Sequence, residues 1–377
     1  MRVLFFQPYL ASWRIDFLER FIREFRGDVI VVDGGHREAK DDKSVSSNSA
    51  PFEVIRLKSA NRIFSSLGFP YPVYFSFGIF KTLRMYKPDV VVTEGEINII
   101  NNIPIFIYSL IYRKKYLWWS LGKVRTRKVG LLPRLLRPLV SVMIAKCKYI
   151  IARNTLAKKY YIEQMGVRGD AVVVAPNSMN EEKARLEVDF DLLEKLRTEK
   201  SGPVILYVGA MTLEKRPADL IAALKILDRR SEDFATAELW YVGDGSEREA
   251  VVDAAVRAGL EERVRFFGRV IEGVGSYFSV ADVVVVPGLG GLVINHAMIF
   301  GVPVVSRVAD GTEHDLIEAG RTGYIVEDES NDALAEAIRM TLAGNSDGVM
   351  SRHVLNKIES EWNMRIMIER FTHAILN

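Results

Sequence analysis

A chain of 377 residues is too long for one ordinary hydrophobic core and suits two domains. Its 49% hydrophobic and 26% charged residues are a globular balance, and a net charge of +3 gives no indication of a general nucleic-acid binder. The single cysteine, Cys147, excludes an internal disulfide framework and a cysteine-based zinc site, and it fits a reducing, cytoplasmic setting.

The apolar run at residues 1–8 is too short for a signal peptide and reads as a first strand, 3–7. An irregular turn leads to an amphipathic helix over 14–25. Strands follow at 29–32 and 52–57, separated by a polar, lysine-rich loop that opens at Gly34-Gly35 and runs to Ala50. A helix over 72–86 precedes a buried strand at 89–93. The rhythm continues with helices over 97–112, 131–145 and 155–165 and strands at 116–119, 149–152 and 171–175. The longest apolar segment, 97–112, carries Asn98, Asn101 and Asn102 and falls short of a membrane span. A soluble or peripheral protein is expected.

Pro176-Asn177 ends this alternation, and the acid-rich stretch that follows has the composition of a linker. A second alternation runs through strands at 204–208, 239–242, 264–267, 283–286, 304–305 and 324–326, and a long last helix covers about 354–375. The expected fold is α/β with two doubly wound, Rossmann-like domains facing a central cleft. The expected boundaries are 1–178 for the first domain, 179–202 for a linker and 203–353 for the second domain. Residues 354–377 then form a helix that crosses back to the first domain.

Three loops at strand ends carry candidate chemistry. After the β-branched run 283–286, Pro287-Gly288 opens a glycine loop that includes Gly290 and Gly291 and leads into an apolar helix. Backbone amides at such a helix start can face an anion; a turn that binds nothing is an equal alternative on the loop alone. After strand 204–208, Gly209 is followed by Lys215 and Arg216 just ahead of Pro217. Two adjacent cations there suit a diphosphate leaving group, against the commoner fate of solvated surface charges. After strand 264–267, Gly268 and Arg269 offer backbone groups for a base, or a plain surface charge. Asn295 and His296, one turn into the apolar helix, are placed for ribose or sugar hydroxyls; His296 also has the spacing of a core residue. Gly243-Asp244-Gly245 lacks the third glycine of a dinucleotide fingerprint, because Arg248 stands there. No metal-ligand spacing is present, so neither a metal nor a cofactor is expected.

These residues resemble the retaining GT-B glycosyltransferases, family 4 (group 1) in particular. The likeness rests on VGAMTLEKRPADLIAAL, YVGDGSERE, VRFFGRV, ADVVVVPG, GLVINHAMIFGVPVV and the tail from Gly311 to Glu327, in the family's order and at its spacing. The resemblance implies a nucleotide-sugar donor held mainly by the second domain and transfer with retained anomeric configuration. Lys215 matches the family's phosphate lysine, with Arg216 supplying a second charge. Gly291, Leu292 and Val293 match the backbone donors to the diphosphate, and His296 falls where the family usually has a ribose-binding glutamate. The family's donor-sugar glutamate is Gly288 here, its strand-end arginine is Ala210, and its first-domain histidine is replaced by Ser120 or Leu121. These departures leave open an alternative, a catalytically inactive nucleotide-sugar-binding partner of a membrane glycosyltransferase. A nucleotide-sugar epimerase is a more distant reading.

In the first half, residues 97–162 contain fourteen Lys and Arg and no Asp or Glu. Interleaved with Trp118 and Trp119, they suggest an anionic membrane surface, at about 1 kcal/mol for each cation held near it, or an anionic acceptor. A basic face that only aids solubility is the bland alternative. The expected acceptor is a lipid-linked or cell-surface glycan, in polysaccharide or glycolipid biosynthesis, and the expected location is the cytoplasm, on the inner face of the cell membrane. Tyr9, Arg14, Glu94 and Ser120 are the acceptor-side candidates, with Glu96 beside them, and no nucleic-acid partner is expected.

Overall fold

The computed structural model describes residues 1–35, 50–60, 75–95, 98–122, 136–230 and 234–377. The chain forms two compact units, Met1–Asn177 with Met364–Asn377, and Ser178–Asn363.

In unit 1 the chain order is β1 (Arg2–Gln7), α1 (Ser12–Glu24), β2 (Asp28–Asp33), β3 (Val54–Arg56), β4 (Ser59–Ala60), β5 (Phe75–Ser76) and α2 (Ile79–Tyr86). It continues with β6 (Val90–Glu94), α3 (Ile99–Tyr112), β7 (Lys115–Ser120), α4 (Arg137–Ala145), β8 (Tyr149–Ala152), α5 (Thr155–Glu163) and β9 (Val172–Val174). Seven strands make one sheet in the order β3-β2-β1-β6-β7-β8-β9, every neighbouring pair parallel. Both faces are buried, which is why its strands read as near-continuous apolar runs. Alternation along β1 sends Val3 and Phe5 to one core and Leu4 and Phe6 to the other.

Unit 2 contains α6 (Glu181–Leu186), α7 (Phe190–Glu199), β10 (Val204–Val208), α8 (Asp219–Arg230), β11 (Glu238–Val242), α9 (Arg248–Ala258), β12 (Val264–Phe266), α10 (Val274–Val280) and β13 (Val283–Val286). Then come α11 (Val293–Ile299), β14 (Val304–Arg307), α12 (Glu313–Leu316), β15 (Gly323–Val326), α13 (Asn331–Gly344) and α14 (Val349–Ser360). Its six parallel strands run β12-β11-β10-β13-β14-β15. The strand order reverses beside β1 in unit 1 and beside β10 in unit 2. Open α/β sheets take ligands outside the carboxyl ends of their strands at such points.

Three expectations differ from the structure. The acid-rich stretch read as a linker is folded into α6 and α7, and both are capped. Asn180 accepts from Lys183 N at 3.1 Å and Asp189 from Leu192 N at 3.0 Å. Glu181, Glu182 and Asp191 stand in first turns, where the helix dipole favours them. The single last helix is broken into α14 and α15 (Met364–Leu376), because Asn363 Nδ2 donates to the Ile358 and Glu359 carbonyls at 3.0 and 2.8 Å and closes α14. Only α15 belongs to unit 1, where Phe371 lies 4.8 Å from both Phe17 and Trp119, ring centroid to centroid. Of the helix expected over 72–86, residues 72–74 lie outside the described residues, and the described part starts at Ile79, after Gly78 in a left-handed conformation, with β5 before it pairing antiparallel with β4. Most of the loop expected after Gly35, the start of the helix expected at 131, Glu96 and the basic residues from Lys123 to Arg134 lie outside the described residues.

Candidate functional site

The carboxyl ends of β10 and β13 meet in unit 2. Beyond β10 the chain passes Gly209, makes a 3-10 turn over Leu213–Lys215 and places Arg216 in the left-handed region with φ 52°. The Lys215 side chain folds back so that a Cβ added at Gly209 would lie 2.9 Å from its Nζ. Beyond β13, Leu289 N donates to Glu214 O at 3.0 Å, and a Cβ at Gly288 would come within 2.4 Å of that same oxygen. The two loops are therefore stitched backbone to backbone, which holds an ammonium beside the strand end. The same contact explains why glycine occupies 288: a glutamate there would force the Glu214–Lys215 backbone away.

The neighbouring strand ends are joined as closely. Gly209 N donates to Val242 O at 2.9 Å, Gly243 N to Gly268 O at 2.7 Å, and a Cβ at Gly243 would overlap Gly209 O. Gly268 thus supports the adjacent strand end, while Arg269 after it is exposed. On the other side, Gly290 and Gly291 lead to Leu292 at the start of α11. The first N–H groups of a helix have no partner within it, so the amides near Leu292 and Val293 are donors by geometry.

Three of the expected site residues, the catalytic candidate Arg216 and the donor-binding candidates Asn295 and His296, are corrected. Arg216 is not a spare cation: it is ion-paired to Asp219 at 2.7 Å and to Glu329. Asn295 does not reach for a sugar. Its Oδ1 accepts from Met179 N at 2.9 Å and its Nδ2 donates to Trp362 O at 3.0 Å, so both ends of the amide are used inside unit 2. His296 is a core residue, 9% exposed, with its ring 4.4 Å from that of Phe278 and 5.8 Å from that of Phe300. Burial lowers its pKa to about 4, so the ring is neutral, and Nε2 has no hydrogen-bond partner among the described residues.

Sequence reasoning missed two residues that shape this end of the sheet. Arg307, 2% exposed at the end of β14, binds Asp219, the Glu329 and Ser330 carbonyls at 3.0 and 3.1 Å, and Asn331 Oδ1 at 3.1 Å. Glu313 is fully buried and accepts from Ala309 N at 2.8 Å and Gly311 N at 3.0 Å, fixing the loop after β14. A charged residue closing an apolar strand, as in VVSR, was the available signal for the first.

In unit 1 the carboxyl ends of β1 and β6 bring together two of the acceptor-side candidates. Arg14 Nη2 donates to Glu94 Oε1 at 2.6 Å, and its guanidinium lies over the Trp119 ring at 3.5 Å. Arg153, expected only as one of the fourteen basic residues of 97–162, donates to the same oxygen at 2.8 Å. Glu94 is thus a counter-ion to two arginines and not a free base. Burial first, and the Arg153 charge second, lower the Arg14 pKa to about 9, which still leaves it charged at neutral pH. Ser120 is buried with its hydroxyl accepting from Gly122 N at 2.8 Å, a turn contact. Tyr9 packs edge to face on Trp13 and is half-buried.

The basic segment is only partly a surface. Lys114 pairs with Asp89 at 2.7 Å, Lys115 Nζ caps α15 through the Leu376 carbonyl at 3.1 Å, and Arg153 is held by Glu94. On α3, Ile107, Leu110 and Ile111 are exposed together at helical spacing, with exposed Arg113 following. No helix among the described residues is long and apolar enough to cross a membrane.

Two parallel α/β sheets with these strand-end loops define the GT-B fold of glycosyltransferases. In structure, the chain is similar to HepE from Anabaena in complex with UDP (TM-score 0.76, 17% identity, 100% of both chains covered). It is likewise similar to the apo lipopolysaccharide outer core galactosyltransferase WaaB (TM-score 0.72, 16% identity, 100% and 99% covered). Residues 202–344 match the family model described as Glycosyl transferases group 1. In sequence, the chain is 31% identical over 144 residues to alpha-D-kanosaminyltransferase of Streptomyces kanamyceticus, covering 37% of this chain and 36% of that one. It is 24% identical over 242 residues to the lipopolysaccharide 1,2-N-acetylglucosaminetransferase of Salmonella typhimurium, covering 60% and 62%. The matches therefore span from about a third to about three fifths of these curated relatives.

Proposed function

We propose that this chain is a retaining glycosyltransferase that moves a sugar from a nucleotide-sugar donor to a lipid-linked or cell-surface glycan. The observation that carries the reading is Lys215, whose ammonium lies beside Gly209 where the strand order of unit 2 reverses, next to the glycine loop ahead of α11. The backbone contact of Leu289 with Glu214 joins the loop that carries this ammonium to the loop that leads to the helix-start amides, and groups of those two kinds stabilise the charge that grows on a departing nucleoside diphosphate. Arg216 keeps a supporting part, since its pairing with Asp219 pins the turn that carries Lys215. The acceptor hydroxyl attacks the anomeric carbon on the face the diphosphate leaves, so configuration is kept and no protein nucleophile is needed. UDP in the HepE complex and the lipopolysaccharide relatives support the donor and acceptor classes.

The reading also places the protein at an anionic membrane face. Ile107, Leu110 and Ile111 on α3 supply the apolar ridge and Arg113 a cation beside it. The first test is a thermal-shift panel of UDP, GDP, dTDP, ADP and CMP on wild type and Lys215→Ala. One nucleotide should stabilise the wild type by about 2.7 kcal/mol at a hundred times its Kd and the variant much less. Stabilisation by none of the five, in a folded protein, would overturn the donor site and favour a partner without catalysis.

A further inference from the structure

Unit 1 holds a charge imbalance that sugar transfer from a nucleotide donor does not use. Arg14 is 3% exposed, and the Arg153 and Glu94 side chains are 14% and 19% exposed. Both guanidiniums share one oxygen of Glu94, at 2.6 and 2.8 Å, and both lie over the Trp119 indole, 3.5 and 5.1 Å from its centroid. One carboxylate therefore serves two covered cations, and among the described residues no second carboxylate is paired with either. Among the described residues, three donors in the same cluster are buried without an acceptor: Arg14 Nη1, Arg153 Nε and Trp119 Nε1.

The position matters as much as the chemistry. Glu94 ends β6, Arg14 stands in the first turn after β1, and these are the two strands between which the sheet order of unit 1 reverses. Trp119 lies directly across from Glu94 on β7, and Arg153 follows β8. An internal structural ion pair would balance its charges and leave its donors satisfied. This cluster does neither, and it sits where an open α/β sheet takes ligands.

We infer that Arg14, Arg153 and Trp119 form a subsite for one anionic group, a carboxylate or a phosphate, carried by the acceptor. Glu94 is the internal counter-ion that holds the two guanidinium planes over the indole. Arg153, the more exposed of the arginines, turns outward to meet the anion and opens the donors behind it. The identity of the ligand as acceptor rests on the glycosyltransferase reading; the anion site itself does not.

Isothermal titration of the full chain with glucuronate, glucose 6-phosphate and neutral glucose tests this, on wild type, Arg153→Gln, Arg153→Lys and Lys215→Ala. At least one charged probe should bind wild type and Lys215→Ala equally and at least tenfold more tightly than glucose. Arg153→Gln should lose at least tenfold, and Arg153→Lys, which keeps the charge, should lose less. Binding of glucuronate alone identifies a carboxylate, and binding of the phosphate alone identifies a phosphate ester. Equal affinity for glucose and both anions, or Arg153→Gln binding as wild type does, overturns the inference. Nucleotide binding read on the same samples separates the two readings. A protein that binds nucleotide and no anion sinks the subsite only; one that binds the anion and no nucleotide sinks the donor reading only.

Discussion

At the scale of single residues, environment decided what each polar side chain does. Asn295 and His296 adjoin in sequence, yet one is spent on two backbone groups and the other is packed between aromatic rings. Asn295→Ala should cost about 1–3 kcal/mol in urea unfolding, because it leaves Met179 N–H and the Trp362 carbonyl unpaired. Nucleotide affinity should not change; weakened affinity at unchanged stability would return Asn295 to the donor site. His296 gives a pH signature. Its folded pKa, about 4, lies below the ordinary 6.5, so its contribution is complete above pH 6.5 and is lost as the pH falls towards 4. The loss runs at about 1.4 kcal/mol for each pH unit in that window. His296→Leu should therefore lose about 2–3 kcal/mol less than wild type between pH 7 and pH 4.5, measured by chemical unfolding at both. Equal losses would show that the ring is not buried neutral.

At the scale of elements, the strands were legible and the helix boundaries less so. Both sheets are buried on two faces, so runs such as VVVV and VILYV announce themselves, and each expected strand of the two sheets lies within a residue or two of an observed one. α6 and α7 were hidden by composition: an acid-rich stretch reads as a linker unless the caps Asn180 and Asp189 are weighed against it. The break between α14 and α15 was hidden because a capping asparagine inside a periodic pattern looks like one more polar residue. α3 shows what periodicity can carry. Its buried face includes Ile105 and Tyr108, while Leu110 and Ile111 are 52% and 60% exposed. If that face meets lipid, Leu110→Asp with Ile111→Asp should lower binding to anionic vesicles at least tenfold, since each buried aliphatic side chain contributes about 1.5–3 kcal/mol. Cosedimentation that is unchanged while the fold is intact would remove the membrane from the reading.

At the scale of the molecule, each unit carries its own pair of cores, one on either face of its sheet, so each has the means to respond to its own ligand. Nucleotide should slow amide exchange at Gly209, Lys215 and from Gly290 to Val293, while the Arg14–Glu94–Arg153 region of unit 1 stays at its free rate. Protection confined to unit 1 would place the nucleotide elsewhere than Lys215. The sequence alone determined the α/β class, the two alternating halves, the glycine loops and the lysine after Gly209. Those follow from local chemistry: side-chain period, β-branching, and the turns that only glycine permits. The tertiary structure alone decided which charges are free. Arg14 meets Glu94 across 80 positions, Asp219 meets Arg307 across 88, and Asn295 meets Trp362 across 67. A charge or an amide is spent or spare according to partners the fold brings from far along the chain, and no local pattern records that distance.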